Sequence, residues 1–570
     1  MLPLDKVIAA VEGEGERLRA EFYAPQGPRG RRGSCPADAE IEGRLRSVLL
    51  GLIDCGFVGE ETAEDPAAAA SSEVWIVDPH DGTFEFMSGR RGSAISVGLV
   101  RNGVPVLGVV HAPDSPDRGP DTVAWAEGCG PLRRNGRPVD NDLSRARLGA
   151  HALAWATASS ALKPLSWSAA FHPSRYVAMP SIAYRLARVA AGDGVATLSN
   201  HGVAEYDIAA GMALLRAVGG VALDGEGREI AFTGKPGARI SGCYAGAPEA
   251  AAALARFGWK AIDEEPRREP RVALGFPRLD FRQQGTRLAR GQGCLLGQVI
   301  GDNLGGMEEF RLLPGQPTDD SEMALTLARS LVREGGHDPD KVLDAYRAWL
   351  TSRPVDIGVT TEAGLLGRHR LDSQSNGSLM RVSPIGVFAA ADPALAARLA
   401  RDDSALTHRN EACLEACAGF AAAISVAVGG GDRDAMLAAA LAHAKSPARE
   451  AIERGARGEL PDFTTHPGWV LVALQNAFQK LFAEASVEEA LDATVACGGD
   501  MDTNAAIAGA LLGSLHGRGA FPSQRILQVL ACRPLAECGA LRPRPMEYWP
   551  DDVLELAEAV LLAGPLTRGQ

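Results

Sequence analysis

The chain has 570 residues, of which 46% are hydrophobic and 23% are charged, and its formal net charge is −13. This composition is typical of a globular protein and excludes a disordered chain, a collagen-like chain and a small disulfide scaffold. At roughly 100–200 residues per domain, the length predicts two to four domains. The acidic sequence contains no basic stripe, so a nucleic-acid partner is not expected.

The ten cysteines are scattered and form no Cys-x-x-Cys pair, which is typical of a reducing compartment. The first twenty residues are charged and helix-like, so no secretory signal is predicted. No uncharged apolar run reaches the roughly 18 residues that a membrane-spanning helix needs. The sequence therefore predicts a cytoplasmic protein without a membrane partner.

Charged residues and two prolines fill the segment 262–272, which has the composition of a linker. The segment predicts a first domain over residues 1–262, a linker over 263–284 and a second domain over 285–570. The residue patterns on its two sides differ, which supports the division.

Short apolar runs alternate with helix-like stretches in the first domain, and this mixture predicts a layered α/β fold. Two of the runs flank Asn102-Gly103, a pair typical of a tight hairpin turn. We expect the returning strand to end at His111-Ala112-Pro113, because proline cannot donate to a central ladder. The predicted strands cover 74–77, 94–100 and 106–110, and the predicted helices cover 4–22, 38–53, 181–192 and 206–217.

Segments rich in alanine and leucine, with a 3.6-residue periodicity, dominate the second domain. Strand patterns are nearly absent, so we predict an all-α domain, and the lack of a fixed-length repeat argues against a solenoid. The predicted helices cover 285–302, 320–334, 339–350, 391–401, 409–428, 432–444, 468–483, 487–496, 503–516 and 550–563.

Acidic residues cluster in three segments of the first domain. These are Glu60-Glu61, the motif Asp78-Pro79-His80-Asp81-Gly82-Thr83 after the strand 74–77, and Glu205-Tyr206-Asp207 at a helix start. Oxygen ligands of this kind suit Mg²⁺, and the amides of Gly82 and Thr83 would suit a phosphate. The alternative for the central motif by itself is a strand-to-helix turn with an aspartate cap.

Together with the helical segments 181–192 and 206–211, these motifs resemble the inositol monophosphatase superfamily over roughly residues 1–260. The resemblance implies a layered α/β/α/β/α fold and Mg²⁺-dependent hydrolysis of phosphomonoesters. It implies two or three ions, held by Glu60, Asp78, Asp81, Asp207 and the main-chain carbonyl of His80. It also implies that Asp38 and Thr83 activate water, that Glu61 is an outer carboxylate, and that substrate contacts come from His80, Gly82 and Thr83.

Three residues depart from the pattern of this family. Cys35 stands where the family usually has threonine, His80 replaces an aliphatic residue, and Tyr206 replaces tryptophan. The metal ligands are retained, so the departures bear on substrate choice. The His80 side chain has two interpretations, either a substrate contact or a locally satisfied supporting residue.

Two matching acidic sets lie far apart in the second domain. Thr318-Asp319-Asp320 and Asp500-Met501-Asp502-Thr503 each open a predicted helix, and each supplies two carboxylates and a hydroxyl. Either set by itself is compatible with ordinary helix capping. Together they favour a two-metal site assembled from opposite faces of a helical bundle.

With the segments 293–302, 376–381, 407–408, 468–470 and 498–517, these sets resemble the ADP-ribosylglycohydrolase family over roughly residues 285–565. The resemblance implies an all-helical fold, a binuclear Mg²⁺ centre and cleavage at the anomeric carbon of an ADP-ribosyl unit. The implied metal ligands are Thr318, Asp319, Asp320, Asp500, Asp502 and Thr503. Glu309 matches the glutamate near the ribose, and the implied substrate contacts are Asn376, Gly377, Ser378, Met380 and His408.

A chain with both regions favours a bifunctional hydrolase that acts in sequence on phosphorylated ADP-ribose. The implied partners are a small phosphate ester and either ADP-ribose or an ADP-ribosylated acceptor, and the first family favours a homodimer. Two alternatives stay open. One half could be a catalytically silent module that binds ADP-ribose or phosphate and regulates the other, or the two activities could be unrelated.

Overall fold

The structure, a computed structural model, describes residues 2–31, 33–61, 71–235, 237–259, 262, 264–273, 275–280 and 285–565. The chain divides into two compact units, residues 1–278 and 279–570. The linker limits of 263 and 284 stay a prediction from composition.

The first unit alternates strands with helices. Its strands are β1 (Gly56–Gly59), β2 (Glu73–Asp81), β3 (Ala94–Arg101), β4 (Val104–Ser115), β5 (Gly119–Ala126), β6 (Arg133–Arg134), β7 (Arg137–Pro138), β8 (Leu153–Ala156), β9 (Arg175–Ala178), β10 (Ala196–Ser199), β11 (Val203–Ala204), β12 (Val221–Leu223), β13 (Arg239–Ile240) and β14 (Cys243–Gly246). Its α-helices are α1 (Leu4–Phe22), α2 (Pro36–Leu52), α3 (Thr83–Phe86), α4 (Pro164–Phe171), α5 (Ile182–Ala190), α6 (Glu205–Arg216) and α7 (Pro248–Ala255).

Two sheets organise the described strands of this unit. The larger sheet contains β1 to β7 in chain order, with β1 parallel to β2 and the other neighbours antiparallel. The smaller sheet has the order β12-β14-β10-β8-β9, and β11 pairs with β13 in a separate ribbon. Helices α1 and α2 pack on one face of the larger sheet, whereas α5 and α6 pack between the sheets and α7 covers the smaller one. The predicted α/β/α/β/α layering is therefore confirmed.

The hairpin between β3 and β4 has the predicted turn but a longer returning strand. Asn102 and Gly103 both have positive φ values, 50° and 78°, as a type I′ turn requires. The prediction that the strand ends at 111–113 is wrong, because β4 continues to Ser115. The register with β5 shifts between Ala112 and Ser115, so this bulge accommodates Pro113 where no regular ladder hydrogen bond is needed.

The second unit is helical, as predicted. Its α-helices are α8 (Gly285–Phe310), α9 (Asp319–Glu334), α10 (Pro339–Thr351), α11 (Val359–Leu365), α12 (Ser383–Phe388), α13 (Pro393–Ala405), α14 (Glu411–Val428), α15 (Arg433–His443), α16 (Ala448–Ala456), α17 (Val470–Phe482), α18 (Val487–Val495), α19 (Met501–His516), α20 (Ser523–Leu530) and α21 (Val553–Ala563). Among the described residues of this unit, β-type pairing is limited to one isolated bridge between Ser375 and Trp469.

Helix α14 has the length and apolar composition of a membrane-spanning segment. In the fold, 83% of that 18-residue window is buried against neighbouring parts of the chain. The same burial is typical of a core helix in a helical domain.

Helices α8 and α19 pack against each other through small residues. Glycines recur at every fourth position of α8 and place its backbone against that of α19; they are Gly293, Gly297, Gly301 and Gly305. A Cβ atom at any of them would overlap with backbone atoms at Gly513, Gly509, Ala505 and Asp502, respectively. This close approach brings the C-terminal half of α8 beside the start of α19.

We expect Gly297→Ala to destabilise the second unit by about 1–3 kcal/mol, because its methyl group would overlap with the Gly509 carbonyl and the Phe521 ring. Urea unfolding measures this change. The matched control is Gly519→Ala, whose methyl group would meet no atom within 4 Å. Equal unfolding midpoints for the two variants would show that the helix pair tolerates wider spacing.

Candidate functional sites

A first carboxylate cluster, defined as Glu60, Asp78, Asp81 and Asp207, forms at one edge of the larger sheet. Strands β1 and β2 are parallel, with Gly59 opposite Val77, so the residues that follow them emerge side by side. Asp207 lies in the first turn of α6, which packs on β2, β3 and β4. The topology therefore brings together four acids that are scattered along the sequence.

The electrostatics of this cluster show how close its members are. Burial raises the pKa of Glu60 to about 8, and the charge of Asp207 adds to the effect. Burial and the charge of Asp81 raise the pKa of Asp207 to about 7. Burial also raises the pKa of Asp78, reinforced by Glu60, and that of Asp81. Asp78 is buried, Asp81 and Asp207 are half-buried and Glu60 is exposed. A set of mutually repelling oxygens of this kind fits a hard divalent cation, which would neutralise their charge.

Hydrogen bonds orient individual carboxylates of the first cluster. The Ser181 hydroxyl and the Ala183 amide donate to Asp81 Oδ2 over 2.6 and 2.7 Å. The Ala204 amide donates to Asp207 Oδ2 over 2.7 Å. Because each of these contacts uses one carboxylate oxygen, the other oxygen of the same group can point into the cluster.

Asp38 lies in the first turn of α2, beside the segment that follows Asp78 at the end of β2. The Thr83 hydroxyl donates to the His80 carbonyl over 2.8 Å and lies 3.5 Å from Asp38 Oδ2. The buried His80 ring places Nδ1 2.7 Å from Asp38 Oδ1. Burial raises the pKa of Glu61, reinforced by the charge of Asp38. The structure thus brings Asp38, Thr83 and Glu61 next to one another.

A second carboxylate cluster, defined as Asp302, Asp319, Asp320, Asp500 and Asp502, forms in the helical unit. Carboxylate oxygens of Asp302, Asp320 and Asp502 all lie within 4.8 Å of one another. They come from α8, the start of α9 and the start of α19. The close packing of α8 on α19 is what sets Asp302 beside Asp502.

Burial and mutual repulsion dominate this cluster too. Burial raises the pKa of Asp320 well above its ordinary value, and the charge of Asp502 adds to this. The same causes raise the pKa values of Asp319 and Asp502, and burial raises that of Asp302 to about 6. Asp320 Oδ1 is buried without a hydrogen-bond partner among the described residues. An orphaned carboxylate oxygen inside an acidic cluster fits a bound divalent cation.

Asp302 fixes the turn that opens α9. Its carboxylate accepts hydrogen bonds from the Thr318 amide and hydroxyl over 3.0 and 2.9 Å, and from the Ser321 amide over 3.0 Å. The Thr318 hydroxyl also lies 2.9 Å from Asp320 Oδ2. When its hydrogen points to Asp302, the lone pairs of the hydroxyl face the cluster.

Two further segments reach Asp500 and its helix. Asn376 Nδ2 donates to Asp500 Oδ2 over 2.8 Å, and the Met501 amide donates to Glu309 Oε1 over 2.9 Å. The Thr503 amide donates to Asp502 Oδ1 over 2.8 Å. The loop 376–381 and the end of α8 therefore meet at the second cluster.

A chain with two acidic centres is matched by two families. A model of the inositol monophosphatase family matches residues 36–261, and an ADP-ribosylglycohydrolase model matches residues 283–564. The inositol-1-monophosphatase of Rhizobium meliloti is 36% identical over 209 residues, which cover 34% of this chain and 71% of the relative. The inositol-1-monophosphatase of Mycolicibacterium smegmatis is 31% identical over 204 residues, which cover 33% of this chain and 68% of that relative.

The second half has relatives of another kind. The ADP-ribosyl-[dinitrogen reductase] glycohydrolase of Rhodospirillum rubrum is 28% identical over 271 residues, which cover 41% of this chain and 88% of the relative. The chain joins a region of the inositol monophosphatase family to a region of the ADP-ribosylglycohydrolase family. Both families are hydrolases, so the two parts are called here the phosphatase unit and the glycohydrolase unit.

Three residues that the glycohydrolase resemblance implies lie in or next to the loop 376–381. His408 is buried, with its ring nitrogens 2.9 Å from Ser375 Oγ and 2.8 Å from Thr407 Oγ1. Burial lowers the pKa of His408 to about 3. Ser378 accepts a hydrogen bond from Ser404 over 2.8 Å, and the Met380 carbonyl accepts one from Gln298 over 2.6 Å.

Sequence reasoning did not select two carboxylates of these sites, namely Asp302, which belongs to the second cluster, and Glu42, which lies near Glu61. Asp302 was expected at the end of a helix, but α8 continues to Phe310, so the predicted helix end at 302 is wrong. Glu42 is fully buried and accepts the Glu61 amide over 2.9 Å. Its position four residues after Asp38 on α2 was an available signal, because such pairs share one helix face.

We expect Asp302→Asn to weaken Mg²⁺ use by the glycohydrolase unit. The amide would present a donor to Thr318 or Ser321, where the structure needs an acceptor. Outer-sphere changes of this kind typically cost about 10–100-fold in metal affinity. The readout is the Mg²⁺ concentration that half-saturates ADP-ribosyl hydrolysis, with the exposed Asp340→Asn as a matched control. If both variants have the same half-saturating Mg²⁺ concentration, Asp302 does not have this role.

Proposed function

We propose that the chain is a bifunctional Mg²⁺-dependent hydrolase. The phosphatase unit cleaves a phosphomonoester, and the glycohydrolase unit cleaves a bond to ADP-ribose. The observation that carries the proposal is that each unit holds its own carboxylate cluster with raised pKa values, largely buried in the glycohydrolase unit and partly buried in the phosphatase unit. Membership of two hydrolase families supports the same assignment.

In the phosphatase unit, Glu60, Asp78, Asp81 and Asp207 would hold Mg²⁺ together with the His80 carbonyl. Bound divalent cations lower the pKa of water and neutralise charge on attacking and leaving oxygens. Asp38 and Thr83 would bind the attacking water and accept its proton, which their 3.5 Å separation allows through one shared water. Glu61 would support this pair from outside, and Gly82, with φ 99°, lets the backbone approach the phosphate.

In the glycohydrolase unit, Thr318, Asp319, Asp320, Asp500, Asp502 and Thr503 would hold two Mg²⁺ ions. Asp302 would orient the Thr318 hydroxyl, because its carboxylate accepts hydrogen bonds from the Thr318 amide and hydroxyl and from the Ser321 amide. Asn376 and the loop after it would contact the ADP-ribosyl unit. Glu309 would act near the ribose, where an oxocarbenium-like centre develops.

The test is a screen with purified full-length chain that measures phosphate release and ADP-ribose release in parallel, with Mg²⁺ and with EDTA. The substrates are inositol 1-phosphate, nucleotide monophosphates, phosphorylated ADP-ribose, and ADP-ribosylated arginine and serine peptides. We expect both products to appear with Mg²⁺ and both to vanish with EDTA. Activity that survives EDTA would contradict the metal assignment of that unit.

We further propose that the two units act in sequence on phosphorylated ADP-ribose, a step that the fusion of the two families supports. Phosphate release should precede ADP-ribose release in a time course with one doubly labelled substrate. If only one product forms from every substrate, the other unit is a binding module. If both form but never from one molecule, the activities are unrelated.

A further inference from the structure

The His80 ring lies between Asp38 and an aromatic side chain. Its Nδ1 is 2.7 Å from Asp38 Oδ1, and its ring meets that of Phe86 edge-on, with centroids 4.3 Å apart. The His80 side chain has no exposed surface. Because the ring points into the unit and toward Asp38, it is directed at a member of the proposed water-activating pair.

We propose that His80 is a positioning residue for phosphate-ester hydrolysis. The Nδ1–H group donates to Asp38 Oδ1 and turns Oδ2 toward Thr83 and the attacking water. This inference rests on the proposed phosphatase function, and it assigns a role to a residue that stands where an aliphatic side chain is usual.

The surroundings of Asp38 explain why it depends on this donor. Its carboxylate is buried, with 2% of the residue exposed, and a buried oxygen without a donor is unfavourable. The Cys35 cap of α2 makes no side-chain cap hydrogen bond. The Thr83 hydroxyl lies closer to the His80 carbonyl than to Asp38 Oδ2, at 2.8 against 3.5 Å. Within the described residues, His80 therefore makes the shortest hydrogen bond to the Asp38 carboxylate.

The backbone of His80 is held separately from its ring. Its amide donates to Asp78 Oδ1 over 2.8 Å, and its carbonyl accepts from Thr83. A change of side chain at this position can therefore remove the contact with Asp38 while the loop keeps its main-chain hydrogen bonds. This separation makes the ring a clean target for substitution.

The experiment compares His80→Asn, His80→Gln and His80→Leu in the full chain. Asparagine can place an amide nitrogen where Nδ1 lies, glutamine places it further out, and leucine offers no donor. With the best ester from the substrate screen, and p-nitrophenyl phosphate as reference, we expect His80→Asn to keep kcat within about threefold. His80→Gln and His80→Leu should lose about 10–100-fold in kcat, with KM and the half-saturating Mg²⁺ concentration unchanged.

The outcomes distinguish a failure of the positioning role from a failure of the proposed phosphatase function. If His80→Leu matches the wild type, or if all three variants lose kcat equally, the positioning role is overturned. A rise in KM or in the Mg²⁺ requirement without a loss of kcat would also overturn it. The ring would then act on substrate binding or on metal binding instead. A wild-type chain that releases no phosphate from any ester overturns the phosphatase proposal and this role with it. Thermal unfolding of each variant checks that the phosphatase unit is folded. If the leucine variant is unstable, the comparison of His80→Gln with His80→Asn tests the positioning role.

Discussion

When each unit is assayed with its own substrate, Asp81→Asn and Asp502→Asn should each abolish one activity and leave the other intact. Asp81 is half-buried in the first cluster and its Oδ2 accepts two short hydrogen bonds, so its amide variant loses a charged candidate ligand at a fixed position. Asp502 offers an oxygen within 4.8 Å of those of Asp302 and Asp320. We expect Asp81→Asn to lower phosphate release, and Asp502→Asn to lower ADP-ribose release, each by at least about 100-fold.

The matched controls are Glu249→Gln in the phosphatase unit and Asp434→Asn in the glycohydrolase unit, both exposed acids in the first turn of a helix. Neither control should change kcat or KM. With phosphorylated ADP-ribose as the substrate, Asp81→Asn should also stop ADP-ribose release, because the glycohydrolase unit would act on the phosphatase product. Unchanged ADP-ribose release from this substrate would contradict sequential action. If either ligand variant keeps full activity with every substrate, that unit is not the hydrolase we propose.

Removal of Mg²⁺ should make the stability of the phosphatase unit fall as pH rises from about 5 to about 8. Glu60 and Asp207 have folded pKa values of about 8 and about 7, above their ordinary values of 4.5 and 3.8. In this window the metal-free folded state binds more protons than the unfolded state, so each rise in pH favours unfolding. At pH 8 Glu60 is still about half protonated in the folded state, so the loss is complete only about one pH unit higher.

Added Mg²⁺ should reverse this loss, because the cation replaces the protons that the cluster holds at low pH. At about 100 times its Kd, Mg²⁺ would stabilise the unit by about 2.7 kcal/mol, which corresponds to roughly 5–10 °C in Tm for a domain of this size. The measurement is the difference in Tm between Mg²⁺ and EDTA at each pH, with K⁺ at equal ionic strength as control. A difference that stays constant or shrinks between pH 5 and 8 would contradict the raised pKa values.

The candidate ligands could be selected from the sequence because local patterns indicate where carboxylates follow or open an element. The apolar strand before Asp78 and the helix-start signature of Thr318-Asp319-Asp320 each place carboxylates at the end of an element. The Asn102-Gly103 pair likewise specified its turn, because few residues accept positive φ at both central positions. Both family resemblances rest on such short, ordered motifs, and both are confirmed.

Contacts between different elements could not be predicted from local sequence patterns. The β4 prediction failed because a bulge, which depends on pairing with β5, accommodates Pro113. The end of α8 was misplaced because the helix is stabilised by close packing on α19 beyond Asp302, whereas local propensity at Gly305 and Gly306 favours a break. In both cases tertiary pairing outweighed a correct local preference.

The sequence by itself determined that this protein carries two acidic hydrolase motifs on an α/β unit and an all-α unit. The tertiary structure decided which groups face one another: Asp302 joins the second cluster through the packing of α8 on α19, and the His80 ring lies within hydrogen-bond distance of Asp38. The physical reason is that these contacts join residues far apart in the sequence. Asp38 and His80 are 42 positions apart, and α8 and α19 lie near the two ends of the sequence of the glycohydrolase unit. Their geometry depends on how whole elements pack, which no local periodicity records.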